Sequence, residues 1–217
     1  MKIVGFPVDV SRSQDSRILR GQRIRQSLIQ TTLDLIQAGD VEPSPGVIAS
    51  IAGVPGPVLF QHFPQLPDLY EAAFELSVSR AFDPDRPVNR TVPLAKRTAL
   101  LVSDRAQTFE QWLPVWHFAE RVRGAAPAVS HGIAHLRRML RERVAIWFAV
   151  ELDALEPTAR EPVLDSLDVA FGFERWMNMR DRLRLSPMNA SRTWRFEAES
   201  IVRRAFTTVS GHSGAAA

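Results

Sequence analysis

His131 and His135 stand four residues apart in the run H-G-I-A-H, a spacing that sets both imidazoles on one face of a helix. A helix-borne zinc hydrolase would carry glutamate directly after the first histidine and would add a third ligand. Here that position is Gly132, so the pair reads as a helix-start element with surface or packing roles. Glu110 with Glu120, and Asp165 with Asp168, are carboxylate neighbours of a kind common on helical surfaces, and nothing marks them for acid–base work. There is no G-x-S-x-G elbow to raise a nucleophile. Cysteine is absent, which excludes disulfides, thiol catalysis and cysteine-ligated zinc. The sequence therefore predicts no catalytic residue, no metal site and no cofactor.

What remains is the chemistry of binding. Trp112, Trp116, His117, Phe118, Trp147, Phe148, Phe171, Phe173 and Trp176 crowd the second half of the chain. Rings at helical spacing are ordinarily core. If they surround a cavity, Trp112, Trp116, Trp147, Phe171 and Trp176 would line it and His117 would offer a polar contact, which suits a small, mostly apolar effector. Residues 12–25 carry Arg12, Arg17, Arg20, Arg23 and Arg25 against a lone Asp15. Such an arm suits either a phosphate backbone or plain solvent. The net charge of +3 and pI near 10.1 are compatible with nucleic acid without requiring it. Only Lys2 and Lys96 among the cations are lysine.

The elements that must position these residues are all helical in pattern. With 217 residues and 45% hydrophobic content, the chain can bury one large core or two smaller ones. No apolar run approaches the ~18 residues a membrane span needs, and Met1 to Val10 lacks a signal-peptide pattern, so a soluble cytoplasmic protein is expected. Residues 1 to about 20 show no helical period. From Gln22 to Ala38, Ile24, Leu28, Ile29, Leu33, Leu35 and Ile36 form a broad apolar face that ends at Gly39. Ser44 caps a short helix opened by Pro45, Gly53 turns the chain, and a second short helix runs from Pro55 to Phe63. This is a helix-turn-helix. A fourth helix spans from about Pro67 to Arg80, and residues 82–93, with three prolines, mark the domain boundary.

Beyond that boundary the pattern predicts helices over 94–112, 114–123, 131–155, 161–183 and 186–209, with the residues from Gly211 frayed. The fold class is all-α, with about nine helices. It comprises a flexible basic arm (1–20), a three-helix N-terminal bundle with its linking helix (21–80) and a larger helical ligand-binding and dimerisation domain (81–217).

The stretch I-A-x-x-A-G-V at Ile48 to Val54, the aromatic-x-His-Phe at Phe60 to Phe63 and Asp68-Leu69 opening the next helix resemble the tetracycline-repressor (TetR) family of transcription regulators. The segment Ser166 to Ile201 is similar to the last two helices of many members. The resemblance implies a homodimer that dimerises through those helices, with a recognition helix from each protomer in the major groove of a palindromic double-stranded operator. A cavity for a small-molecule effector would control the separation of the two reading heads. The DNA-facing set it implies is Arg20, Arg23, Arg25, Ser44, Gly56, Val58, Leu59, Phe60, Gln61 and His62. Gln61 is suited to adenine and Val58 to a thymine methyl.

Four positions depart from the family pattern. Pro55 stands for Ser or Thr, Pro57 for Gly, Phe60 for Tyr and Leu66 for Lys. Three of these changes remove a hydroxyl or ammonium that commonly reaches phosphate. Two functions stay open: a ligand-responsive regulator, expected to be a repressor that releases its operator, or a small-molecule sensing protein of the same fold with weakened or lost DNA binding.

Overall fold

The computed structural model describes residues 10–83 and 87–207, with side chains from Ser16 onward. The described residues form ten α-helices and no strand: α1 Val10–Gln37, α2 Pro45–Ile51, α3 Gly56–His62, α4 Leu66–Ala81, α5 Leu94–Val122, α6 Pro127–Trp147, α7 Ala149–Asp153, α8 Pro157–Phe171, α9 Phe173–Met177 and α10 Pro187–Thr207. A single π-helical turn, Asn178–Arg182, follows α9. The all-α expectation holds.

The N-terminal head is α1 to α3 closed by α4. Ser44 lies in extended backbone and its Oγ accepts the Val47 N–H at 3.4 Å, capping α2 where Pro45 needs no partner. At the other end Gly53 takes φ of +69°, and the Val54 N–H reaches back to Ala49 O at 3.0 Å. That conformation strains any side chain, which is why the turn carries glycine. Leu28, Ile48, Ala49, Leu59, Phe63 and Leu69 then meet in one small core.

The body is built around α5, which packs against α10, α6, α9, α4 and α1. Its core is continuous from Leu33 and Ile36 of α1, through Tyr70, Ala73 and Phe74 of α4, to the aromatic centre of α5 and on to Ala198 and Val202 of α10. Phe109 stacks on Trp194 at 5.9 Å and meets Phe173 edge-on at 4.9 Å, and Trp116 lies 4.7 Å from Phe173. Two helices, α1 and α4, thus contribute to both cores.

Four boundaries differ from the sequence expectation. The basic arm is helical from Val10, continuing α1, while residues 1–9 and the tail from 208 lie outside the described residues, as do 84–86 of the boundary segment. Pro114 does not restart a helix but sits inside α5. A proline inside a helix costs about 3 kcal/mol through its lost hydrogen bond and ring clash, and a continuous α5 keeps Phe109, Trp112, Leu113, Val115 and Trp116 all buried across that point. The helix expected over 131–155 starts at Pro127 and breaks at Phe148, whose fully buried ring turns the chain into α7. The helix expected over 161–183 breaks at Gly172, where ψ swings to 159° and directs Phe173 into the aromatic core.

Candidate nucleic-acid interface and effector cleft

The short helix α3 is held from below by an i, i+4 pair. Leu59 and Phe63 are buried in the head core. Leu59 therefore presents no surface to a partner, because a seven-residue amphipathic helix must spend that position on its anchor. The opposite face is open: Gly56, Pro57, Gln61 and Phe60 are exposed, Phe60 at 47%, while Val58 and His62 are half-buried. Ser44 is also exposed, with its oxygen committed to the cap.

The arginines of α1 divide into two groups. Arg17, Arg20 and Arg23 are exposed, three residues apart, and follow one shallow spiral along the helix. Arg25 is tied to the head. Its Nη1 donates to His62 O at 3.0 Å, filling the orphan carbonyl that ends α3, and its guanidinium lies 4.0 Å over the Phe63 ring. A phosphate contact from Arg25 would compete with both. Gly21 lies beside His62, its Cβ position 3.7 Å from the imidazole, so the α1 arginines begin where α3 ends.

Tyr70 joins head to body. Its hydroxyl donates to Pro43 O at 2.9 Å in the loop before α2, and its ring meets Phe118 edge-on at 5.2 Å. Burial first, then the nearby carboxylates Glu42 and Asp40, push the phenol up to about 12.

The expected effector residues do not surround a common cavity. Trp112, Trp116, Phe171 and Trp176 are buried in the body core, packed on Phe74, Phe82, Phe173, Phe148 and Trp194. Trp176 Nε1 donates to Glu110 at 3.0 Å, whereas Trp112 and Trp116 bury their indole N–H groups with no acceptor. His117 faces solvent, with its Nε2 2.9 Å from Asp181. Of the expected set, Trp147 lines a cleft of about 320 Å³ between α4, α5 and α6, and Trp176 reaches an open groove between α5 and α10. Leu101, Phe109 and Leu140 form its buried floor, and Phe82, Met139 and Trp147 its walls. A second cleft of about 660 Å³ runs between α4 and α6, with His131 and His135 facing Glu71 and Glu75. Gly132 lets the two helices approach there, since a Cβ would stand 2.8 Å from the buried Phe74 ring. Among the described residues no group of three or more histidines and carboxylates is placed to hold a metal. No described helix is long and apolar enough to cross a membrane.

Two buried arginines of α5 were not singled out in the sequence. Arg97 donates to Val92 O at 3.0 Å, to Trp147 O at 2.6 Å and to Glu151, fastening the start of α5 to the end of α6. Arg105 donates to Phe171 O, the last carbonyl of α8, and to Leu140 O at 2.9 Å, and it lines the smaller cleft. Burial brings its guanidinium down to about 10. The available signal was a cation at an inward position, four residues from both Leu101 and Phe109. The neighbouring carboxylates of the sequence are held in ion pairs: Glu110 holds Arg180 through both oxygens at 2.7 and 2.8 Å, and Arg141 bridges Asp165, Asp168 and Glu161.

No family model matches the sequence, and no curated protein does. Among solved structures, the chain is similar to a TetR-family transcriptional regulator from Streptomyces coelicolor, with a TM-score of 0.65 and 21% identity over 85% of this chain and 82% of that one. The chain therefore has the fold of that regulator, in agreement with the resemblance carried by Ile48 to Val54 and Phe60 to Phe63.

Proposed function

We propose that the protein is a DNA-binding transcriptional regulator, working as a homodimer and releasing a palindromic operator when a small effector occupies the body. The observation that carries this reading is the presentation of α3: Leu59 and Phe63 lock it to the head while Gly56, Val58 and Gln61 face outward at major-groove scale. Gln61 would read adenine and Val58 a thymine methyl, with Arg17, Arg20 and Arg23 on phosphates beside α3. The dimer face would be α8 with α10, where Val169 and Phe196 are each 74% exposed. Because α4 belongs to both cores, a ligand that prefers one setting of α4 would change the separation of the two heads.

The test is gel retardation of the protein's own promoter region and of generic duplex at low salt. Retardation of the promoter, with Gln61→Ala losing about 1–3 kcal/mol of discrimination at one base pair, supports the reading. Arg20→Ala or Arg23→Ala should weaken all sequences alike and reduce the salt slope by about 1. Failure to retard either duplex would turn the assignment to the second reading, a small-molecule sensing protein of this fold without DNA binding. That alternative is favoured by Arg25, which is committed to His62 O, and by Pro55, Phe60 and Leu66 at positions where hydroxyls or an ammonium commonly meet phosphate.

A further inference from the structure

The cleft between α4, α5 and α6 combines an apolar surface of Phe82, Phe109, Met139 and Trp147 with charged side chains around it and a buried cation, Arg105. Arg105 is 4% exposed, and its polar partners among the described residues are the two main-chain carbonyls of Phe171 and Leu140. It forms no salt bridge with a described residue. A guanidinium has five N–H donors, and these two carbonyls take one hydrogen from each terminal nitrogen. Burying a full charge with dipoles alone to balance it is costly, and the usual solution is a counter-charge. Asp104 and Asp168 act on Arg105 through space and favour its charged form, while Asp168 is shared with Arg141. The other charged groups of the cleft are occupied or outside: Arg80 donates to Gln30 at 2.6 Å, Asp83, Asp104 and Arg143 hold interactions of their own, and Glu142 stands exposed at the rim.

We infer that this cleft is the effector site and that its ligand is an apolar molecule ending in a carboxylate, which pairs with Arg105 while its hydrocarbon or aryl part lies against Phe82, Phe109, Met139 and Trp147. This rests on the reading of the body as an effector-binding domain. Three features point to this chemistry. Guanidinium is shaped to take a carboxylate in a two-point contact. A volume of about 320 Å³ lies at the lower end of small-molecule pockets, which excludes large conjugates and suits a medium-chain or aryl acid. The position is also coupled to the fold: the two carbonyls that Arg105 holds belong to α6 and α8, and Phe82 follows directly on α4.

The probes are octanoate and 4-phenylbutyrate, each against its uncharged amide, with the full-length protein followed by thermal unfolding and by calorimetric titration. At saturating concentration at least one acid should raise Tm by about 3 °C or more, and its amide by less than a third of that. Arg105→Gln, checked for native helix content, should erase the preference for acid over amide. Because Arg105 also fastens α6 and α8, Thr108→Trp serves as a second variant: it fills the cleft from α5, leaves Arg105 in place and should abolish stabilisation by both acids. Equal stabilisation by acid and amide, no stabilisation by either acid, or a shift that survives Thr108→Trp would overturn the inference. DNA retardation is scored separately. Acid binding without retardation removes the regulator and leaves this site standing; retardation without acid binding does the reverse.

Discussion

The head and the body solve the same packing problem on different scales. In the head, α2 and α3 are seven residues each, too short to be stable alone, and they survive because Ile48, Ala49, Leu59 and Phe63 close on Leu28 and Leu69 of longer helices. The body has long helices, a chain of packed rings from Phe74 to Trp194, most of them edge-on, and buried arginines that fasten helix ends. The head therefore borrows its stability through α1 and α4, while the body makes its own. An exposed helix mounted on a thin core can be reset by its supports. A thick core can hold a cleft without collapsing.

That contrast is open to direct test. Phe109→Ala removes a ring at the centre of the body and should cost about 3–5 kcal/mol, moving the urea transition of helix content and tryptophan fluorescence together. Leu59→Ala should cost about 2–4 kcal/mol confined to the head, so that amide exchange in α2 and α3 accelerates while the fluorescence midpoint stays put. If that midpoint moves as far as it does for Phe109→Ala, the head is not a separate unit. Gly132→Ala forces a methyl against Phe74 and should cost about 1–3 kcal/mol; a neutral result would mean that α4 and α6 can part freely.

Tyr70→Phe is the smallest change, about 1 kcal/mol from one hydrogen bond, and it carries a pH signature. A phenol pushed up to about 12 holds its proton more tightly folded than unfolded. Its contribution is complete below about pH 10 and is lost as pH rises toward 12. Alkaline denaturation of the wild type should show this step, and Tyr70→Phe should lack it.

The head was legible because its signals are local and redundant. Ser44, Pro45 and Gly53 punctuate it, and Ile48, Ala49, Leu59 and Phe63 recur at helical spacing. The site residues were less legible. Leu59 reads equally well as anchor or contact until the helix is seated. Arg25 looks like any arm arginine until His62 O is found beneath it. In the body, periodicity located the helices but not their breaks, since Pro114 is overridden by the burial around it while Phe148 and Gly172 end helices for tertiary reasons. Most rings of the aromatic cluster are buried, yet whether rings enclose space or fill it depends on how helices cross. Arg105 escaped notice because a lone cation in an apolar stripe looks the same in sequence whether it reaches solvent or not.

The tyrosine that joins the two regions has an optical consequence. It is the only tyrosine in the chain, and all five tryptophans, Trp112, Trp116, Trp147, Trp176 and Trp194, lie in the body. Emission excited at the red edge of the indole band is thus blind to the head. Light absorbed by Tyr70 and re-emitted by the indoles reports on the seam alone, and its loss during a titration dates the moment at which the loop before α2 lets go.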